Sequence, residues 1–253
     1  MHLEEFAEGN SLLHHLDPRV KFLTLPPFII LTAVAEGLVL PLYALGVSIG
    51  LIAMARLNIR KLFNRLAVVN TFVLLLWIII PFSYSGTEVF SVGPFSATRE
   101  GVGYVLSITL KTNAIVLATI AILGTSEVFS LAHALVHLRV PEKLVYLFFF
   151  FYRYISVLHE EYVRLKRAMA VRCFSPGTNL HTYKSYAYLI GMLLVRSYER
   201  SQRIYQAMLC RGFEGKFPLM RHFSFSTKDM VFCVFMFSVI TGMIVIAAVL
   251  GQI

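Results

Sequence analysis

The sequence predicts an all-α polytopic membrane protein, with about five transmembrane helices and long cytoplasmic-side helices between the fourth and the fifth. Three observations predict it. Of 253 residues, 57% are hydrophobic and 21 are phenylalanine, well above the apolar share of a soluble domain, and the mean hydropathy is +0.71. The apolar residues lie in long runs. The 23 Lys and Arg gather between those runs, outnumbering the 14 Asp and Glu. A net charge of +9 would suit nucleic acid only on a soluble module; here membrane topology accounts for it, and no nucleic-acid partner is expected.

Taken in order, the spans are Phe22 to Ala35, Leu38 to Ala55, Leu66 to Phe82, Val102 to Leu123 and Met230 to Leu250. The start, MHLEEFAEGN, has three acids and no basic stretch, so no cleavable signal peptide is expected and the first apolar segment must target the chain. That segment is short and carries Pro26 and Pro27, which favour a tilt or kink, and Glu36-Gly37 makes a tight join to the second. The third holds Trp77 and stops at Pro81. The fourth is interrupted by Lys111, an intramembrane cation expected to face protein, with Asn70 of the third span as a candidate partner.

From Thr125 to Asp229 the composition changes, with 15 Lys and Arg against 7 acids. Two apolar runs, LVYLFFFF (Leu144 to Phe151) and AYLIGMLLV (Ala187 to Val195), meet Arg153 and Arg196 before they can cross a core of ~30 Å. The chain thus divides into residues 1–124 with four spans, a basic helical region at 125–229, and a last span at 230–253. The loop from Arg56 to Arg65 has four basic residues and no acid. Arg19 and Lys21 precede the first span, while Glu36, Glu88, Arg99 and Glu100 fall on the opposite side. The excess of positive charge on one side places the N-terminus inside and the C-terminus outside.

Within the basic region, RAMAVRCF (Arg167 to Phe174) returns 39 residues later as QAMLCRGF (Gln206 to Phe213). Pro141-Glu142 starts a helix that nothing interrupts before Cys173; a second starts between His181 and Lys184, reaches Cys210 and stops at Gly212. Each octet therefore ends a long helix on the cytoplasmic side. Upstream, Glu160, Arg164, Ala168 and Arg172 recur every four residues, as do Glu199, Arg203, Ala207 and Arg211. Such a row forms a slanting stripe on which Glu and Arg can pair and a small Ala permits close approach. Capping explains a basic residue before a helix stop, and anionic lipid attracts arginine. Capping alone does not call for the same Met, Ala and Phe around each Arg, so the pair points to two equivalent receptors.

AMLCRGF and AMAVRCF resemble the paired alanine-x-arginine-glycine-type coupling motifs of the transmembrane (T) component of energy-coupling-factor transporters. NSLLHHLDPRVKF (Asn10 to Phe22), with Asp17, Pro18 and Arg19, resembles that family's N-terminal signature, in the form of the cobalt or nickel branch. From physics alone Asp17 is a helix N-cap followed by proline in the first turn. The resemblance runs over essentially the whole chain and implies a coupling subunit rather than an enzyme. It implies two ABC-type ATPase subunits, a separate membrane subunit that binds cobalt or nickel, a small accessory membrane subunit, and a place in the inner (cytoplasmic) membrane. ATP would be used by the partners, with no cofactor or metal held by this chain. Carried over, the ATPase-coupling residues are Ala170, Arg172 and Cys173 at one end and Leu209, Arg211 and Gly212 at the other. Cys173 departs from the small residue usual there. A vitamin-type importer with a shared coupling subunit is the alternative within the family.

Other features carry less. His133 and His137 are four apart and would serve a membrane-embedded metallohydrolase, yet neither a neighbouring Glu nor a third ligand is near in sequence. They read better as packing residues on a short amphipathic helix, Glu127 to Leu138, capped by Ser126. His2, His14 and His15 are equally loose. Cys173, Cys210 and Cys233 have neither metal-site spacing nor a disulfide framework, and no glycine-rich phosphate loop is present. A self-sufficient channel would transport without any ATPase. The phenylalanines at 148–151, and Met192, Leu193 and Leu194, form apolar surfaces that are either core or a seat for the substrate-binding subunit.

Overall fold

The computed structural model describes residues 9, 11–83, 87–92, 95–137, 140–215 and 226–250, and the chain packs as two units. Residues 140–222 form one; residues 2–139 together with 223–253 form the other.

The larger unit holds α1 (Pro18–Val34), α2 (Val39–Ala55), α3 (Ile59–Ser83), α4 (Arg99–Ile122), α5 (Val128–His137) and α8 (Thr227–Leu250). Its core joins α1, α2, α4 and α8. On α2, Ala44, Ser48, Leu51 and Ala55 are buried at helical spacing, and on α4 Ala114, Ala118 and Ala121 are fully buried. Apolar side chains gain little by leaving lipid for protein, so close approach of small residues and hydrogen bonds across helices do the joining. Ser48 makes one such bond, its hydroxyl donating to the carbonyl of Ala114 at 2.8 Å. α8 supplies Phe232, Met236, Val239, Met243 and Ala247 at the same spacing. α3 buries only Leu62, Val73 and Pro81, leaving a broad apolar face outward.

Three described helices are long and apolar enough to cross a membrane: Ile59–Ser83, Arg99–Ile122 and Thr227–Val249. Of the five expected, α1 and α2 are the two that fall below that length. α1 and α2 have 17 residues each, about 25 Å at 1.5 Å per residue, short of a ~30 Å core. They are joined through Gly37, whose φ of 75° lets the chain turn tightly.

Lys111 solves a problem of that turn. Its ammonium donates to the carbonyl of Ala33 at 3.1 Å, one of the last carbonyls of α1, which otherwise lack an intrahelical partner. Ser107 likewise donates to Gly37 O at 2.9 Å. The expected Asn70 partner is otherwise engaged: Asn70 and Asn113 exchange side-chain hydrogen bonds of 3.2 and 3.0 Å between α3 and α4. A carboxamide matches another carboxamide in donors and acceptors, which an ammonium cannot do.

The connection between α3 and α4 contains a two-stranded antiparallel hairpin, β1 (Glu88–Val92) and β2 (Phe95–Thr98), which departs from an all-helical expectation. Its register pairs Glu88 with Thr98 and Val92 with Phe95. Thr98 then caps α4, its side chain accepting from Gly101 N–H.

The smaller unit holds α6 (Glu142–Val171) and α7 (Leu180–Cys210), of 30 and 31 residues. α6 follows Pro141 as expected. α7 begins slightly earlier than expected because Asn179 caps it, accepting from Thr182 N–H at 2.9 Å. Within this pair few side chains are buried: Val145 and Glu161 on α6, Thr182 and Leu189 on α7.

Candidate functional site

The two octets end α6 and α7 in the same way. At the first, Phe174 N–H donates to Met169 O at 3.2 Å and Cys173 N–H to Ala170 O at 3.0 Å; at the second, Phe213 N–H donates to Met208 O at 3.1 Å and Gly212 N–H to Leu209 O at 3.0 Å. Both are Schellman caps, in which the first residue beyond the cap is left-handed and a hydrophobic pair joins the residue after it to the last turn. Cys173 has φ 60° and Gly212 φ 78°. Met169, Phe174, Met208 and Phe213 are half-buried, whereas Ala168, Ala170, Arg172, Cys173 and Ala207, Leu209, Arg211, Gly212 are exposed.

This changes the inference from the repeat. Capping does call for the recurring Met, Phe and small residue, because they occupy the positions the Schellman geometry specifies. It does not call for the exposed Ala and Arg. Neither Arg172 nor Arg211 has a side-chain partner among the described residues, so each guanidinium stands clear at a rigid, hydrogen-bonded helix end. A planar fork of five donors in that position is suited to a carboxylate or to a row of backbone carbonyls.

The ends differ in strain. A non-glycine residue in the left-handed region costs ~1 kcal/mol or more, so Cys173→Gly is expected to stabilise the first end by about 1 kcal/mol and Gly212→Ala to weaken the second by a similar amount. An added Cβ at Gly212 meets nothing within 4 Å, so the cost there is backbone alone. Thermal melting in detergent, with opposite signs for the two variants, checks this.

Pairing on the stripe differs from the simplest expectation. Arg164 meets Glu161 at 3.3 Å rather than Glu160, and no Glu199–Arg203 pair forms among the described residues. Glu161, which sequence reasoning missed, is the hub of the smaller unit. Its carboxylate takes a hydrogen bond from Arg196 of α7, with Arg164 beside it and Arg200 at 3.9 Å. The Arg196 bond first, and then the nearby guanidinium charges, hold this carboxyl below the usual carboxylate range against the opposing cost of burial. The signal was legible only as Arg196 and Arg200 one turn apart, with no sequence cue that an acid 35 residues earlier would meet them.

Beyond this crossing, Arg172 lies eleven residues along α6 and Arg211 fifteen along α7, arms of about 16 and 22 Å at 1.5 Å per residue. Phe174 ties the first end to the start of α7, lying tilted on His181 at 6.2 Å and edge-on to Tyr186 at 5.8 Å. The phenylalanine run is not core: Leu147 and Phe151 are more than 60% exposed, and on α7 so are Leu194 and Tyr198. Exposed apolar faces of this extent mark a seat for protein or lipid.

At the N-terminal signature, Asp17 caps α1 by accepting from Arg19 N–H at 2.9 Å, with Pro18 in the first turn. His14 pairs with Ser11 at 2.7 Å. His2, Leu138, Arg139 and the side chain of His137 lie outside the described residues, and among those described no three His, Cys, Asp or Glu converge on a metal-sized site.

Comparison with known proteins gives a coherent picture. A family model described as CbiQ, cobalt transport protein, matches residues 9–223. The energy-coupling factor transporter transmembrane protein EcfT of Bacillus subtilis is 27% identical over 99% of this chain and 97% of its own length. An uncharacterised protein of Methanocaldococcus jannaschii is 23% identical over 96% of this chain and 85% of its own. The EcfT of Streptococcus equi is 25% identical over 84% and 83%.

Proposed function

The chain belongs to the CbiQ family of cobalt transport proteins, and from that premise we propose that it is the transmembrane coupling subunit of an energy-coupling-factor importer for cobalt or nickel ions. Two ABC-type ATPase subunits dock on the helix ends at Arg172 and Arg211. A separate membrane subunit binds the metal ion and rests on the apolar faces of α6 and α7, with a small accessory membrane subunit beside it. ATP is bound and hydrolysed by the partners. The observation that carries this reading is the pair of matching Schellman ends, each with an exposed and unengaged arginine.

The chemistry asked of this chain is mechanical. ATP binding and hydrolysis open and close the grooves that hold the two arginines, and α6 and α7 carry the displacement to the seated subunit. Because the helices are pinned together at Glu161 with unequal arms, equal displacements of the two ends turn them by unequal angles. No nucleophile or proton transfer is involved, and membership of a transport family sets the metallohydrolase reading aside.

The orientation does not depend on how deeply α1 and α2 enter the membrane. A helical hairpin returns to its starting side whether it crosses or turns within the bilayer, so α3, α4 and α8 still carry the chain out, in and out. With basic residues at 56–65 and throughout 140–215 inside, the N-terminus is cytoplasmic and the C-terminus external.

Several relatives bear the name energy-coupling factor transporter transmembrane protein, which specifies no metal, and the second reading is a shared coupling subunit that serves vitamin-binding partners. Proteoliposomes holding this chain, the ATPase subunits and one candidate substrate-binding subunit separate the two. The expected result is ATP-dependent uptake of radioactive cobalt that nickel competes for. Uptake of a vitamin, with cobalt left outside, would establish the second reading, and cobalt uptake without any ATPase would establish a carrier.

A further inference from the structure

In the larger unit a buried polar cluster has no part in docking or in seating a substrate subunit. Lys21 of α1 is fully buried, and its ammonium donates to Thr125 Oγ1 at 3.1 Å and Ser126 Oγ at 2.5 Å. Ser126, expected to cap α5, accepts a bond from this cation. Asp229, 2% exposed, uses both oxygens: Oδ2 accepts from Ser226 N–H at 2.8 Å and Oδ1 from Asp17 N–H at 2.7 Å. The first of these is the carboxylate half of a capping box at the start of α8. The second bridges 212 residues to the start of α1. Asp17 is also buried, its Oδ1 spent on the cap of α1.

The position of this cluster in the chain gives it meaning. Residues 140–222 are an insertion in the larger unit, so the chain leaves that unit after α5 and returns before α8. Thr125 and Ser126 stand just before α5; Ser226 and Asp229 stand at the start of α8. The two helices that flank residues 140–222 in the chain are therefore both fastened at their starts to one turn of α1, α5 through Lys21 and α8 through the backbone of Asp17.

We infer that Asp17, Lys21, Ser126 and Asp229 form a clamp that anchors α5 and α8, the helices flanking the coupling helices in the chain, to α1, so that displacement of the coupling helices moves the seated subunit. The inference rests on the coupling function proposed above. Without the clamp, a displaced α6 and α7 would unwind the first turn of α8 or lift α5, and the motion would be lost locally. Pulling the buried ammonium from its hydroxyls, or the buried Asp229 carboxylate from its N–H donors, leaves a charge without compensation, so the cluster resists such local opening. These are positioning residues that touch neither ATPase nor substrate.

Two measurements test the clamp. In the isolated chain, hydrogen exchange is expected to accelerate at least about tenfold at the start of α5 in Lys21→Met and at the first turn of α8 in Asp229→Asn, with the ends of α6 and α7 unchanged. In proteoliposomes of the complete complex, the same variants are expected to keep ATPase binding and hydrolysis within roughly twofold while cobalt uptake falls about tenfold. Ser126→Ala deletes one bond only and is expected to give a smaller shift of the same kind; it decides the matter if the charge variants do not reach the membrane. Unchanged exchange, or uptake and hydrolysis falling in proportion, would overturn the clamp. Failure of the coupling function would show instead as a wild-type chain that binds no ATPase, whatever the exchange result.

Discussion

Arg172→Glu and Arg211→Glu combined are expected to abolish association with the ATPase subunits, while each alone weakens it by at least about thirtyfold. Truncating one partner of a desolvated, hydrogen-bonded charge pair costs about 2–5 kcal/mol, and reversal adds repulsion against the groove that held the cation. The helix ends themselves should survive, because the Schellman hydrogen bonds involve only backbone groups of Met169, Ala170, Cys173 and Phe174 and their counterparts. Circular dichroism and melting unchanged from wild type, together with lost co-purification, are the expected pattern. The second end should be the more sensitive. Gly212 adopts its left-handed conformation without strain, whereas Cys173 both strains the first end and places a thiol where close approach is needed.

Glu161→Leu is expected to release α7 from α6 and to reduce recovery of assembled complex roughly tenfold, because this one carboxylate is the shared counter-charge of Arg164, Arg196 and Arg200 and its loss leaves three cations to repel one another. The effect is limited by solvent, since those guanidinium groups are 42–70% exposed. Spin labels on α6 and α7 should report broadened distances, and Glu161→Gln, which retains an acceptor for Arg196, should fall between. A pH dependence follows. The folded-state carboxyl titrates below the ordinary value of 4.5, so its contribution is complete above that value and is lost as the pH falls through the lowered one. Distances constant down to acid pH in wild type would contradict the role given to Glu161.

What the sequence made legible follows from range. α3, α4 and α8 were plain because each is an apolar run long enough to identify itself. The ends of α6 and α7 follow from signals that act within a turn or so, Pro141 at the start of α6, Ser175-Pro176-Gly177 just beyond its end and Gly212 after α7, whereas the left-handed backbone at Cys173 is seen only in the structure. The Asn179 cap and the β1–β2 hairpin were missed although their signals were local: Asn three residues before Thr182, and Gly93-Pro94 between short alternating stretches. Glu161 and the Lys21–Asp229 cluster were not legible at all, since partners 35 to 212 residues apart meet only through tertiary packing. Lys111 was correctly singled out as an intramembrane cation needing protein, but its partner is the backbone end of a short helix. Hydropathy cannot reveal an exposed carbonyl.

The most direct test of the central claim is the native mass of the solubilised complex formed by this chain with its ATPase subunits. Two ATPase subunits per chain in wild type, one fewer docking contact in either single arginine reversal, and none in the double variant are the predicted results. A double variant that still carries both ATPase subunits would contradict the assignment of Arg172 and Arg211 as the docking ends.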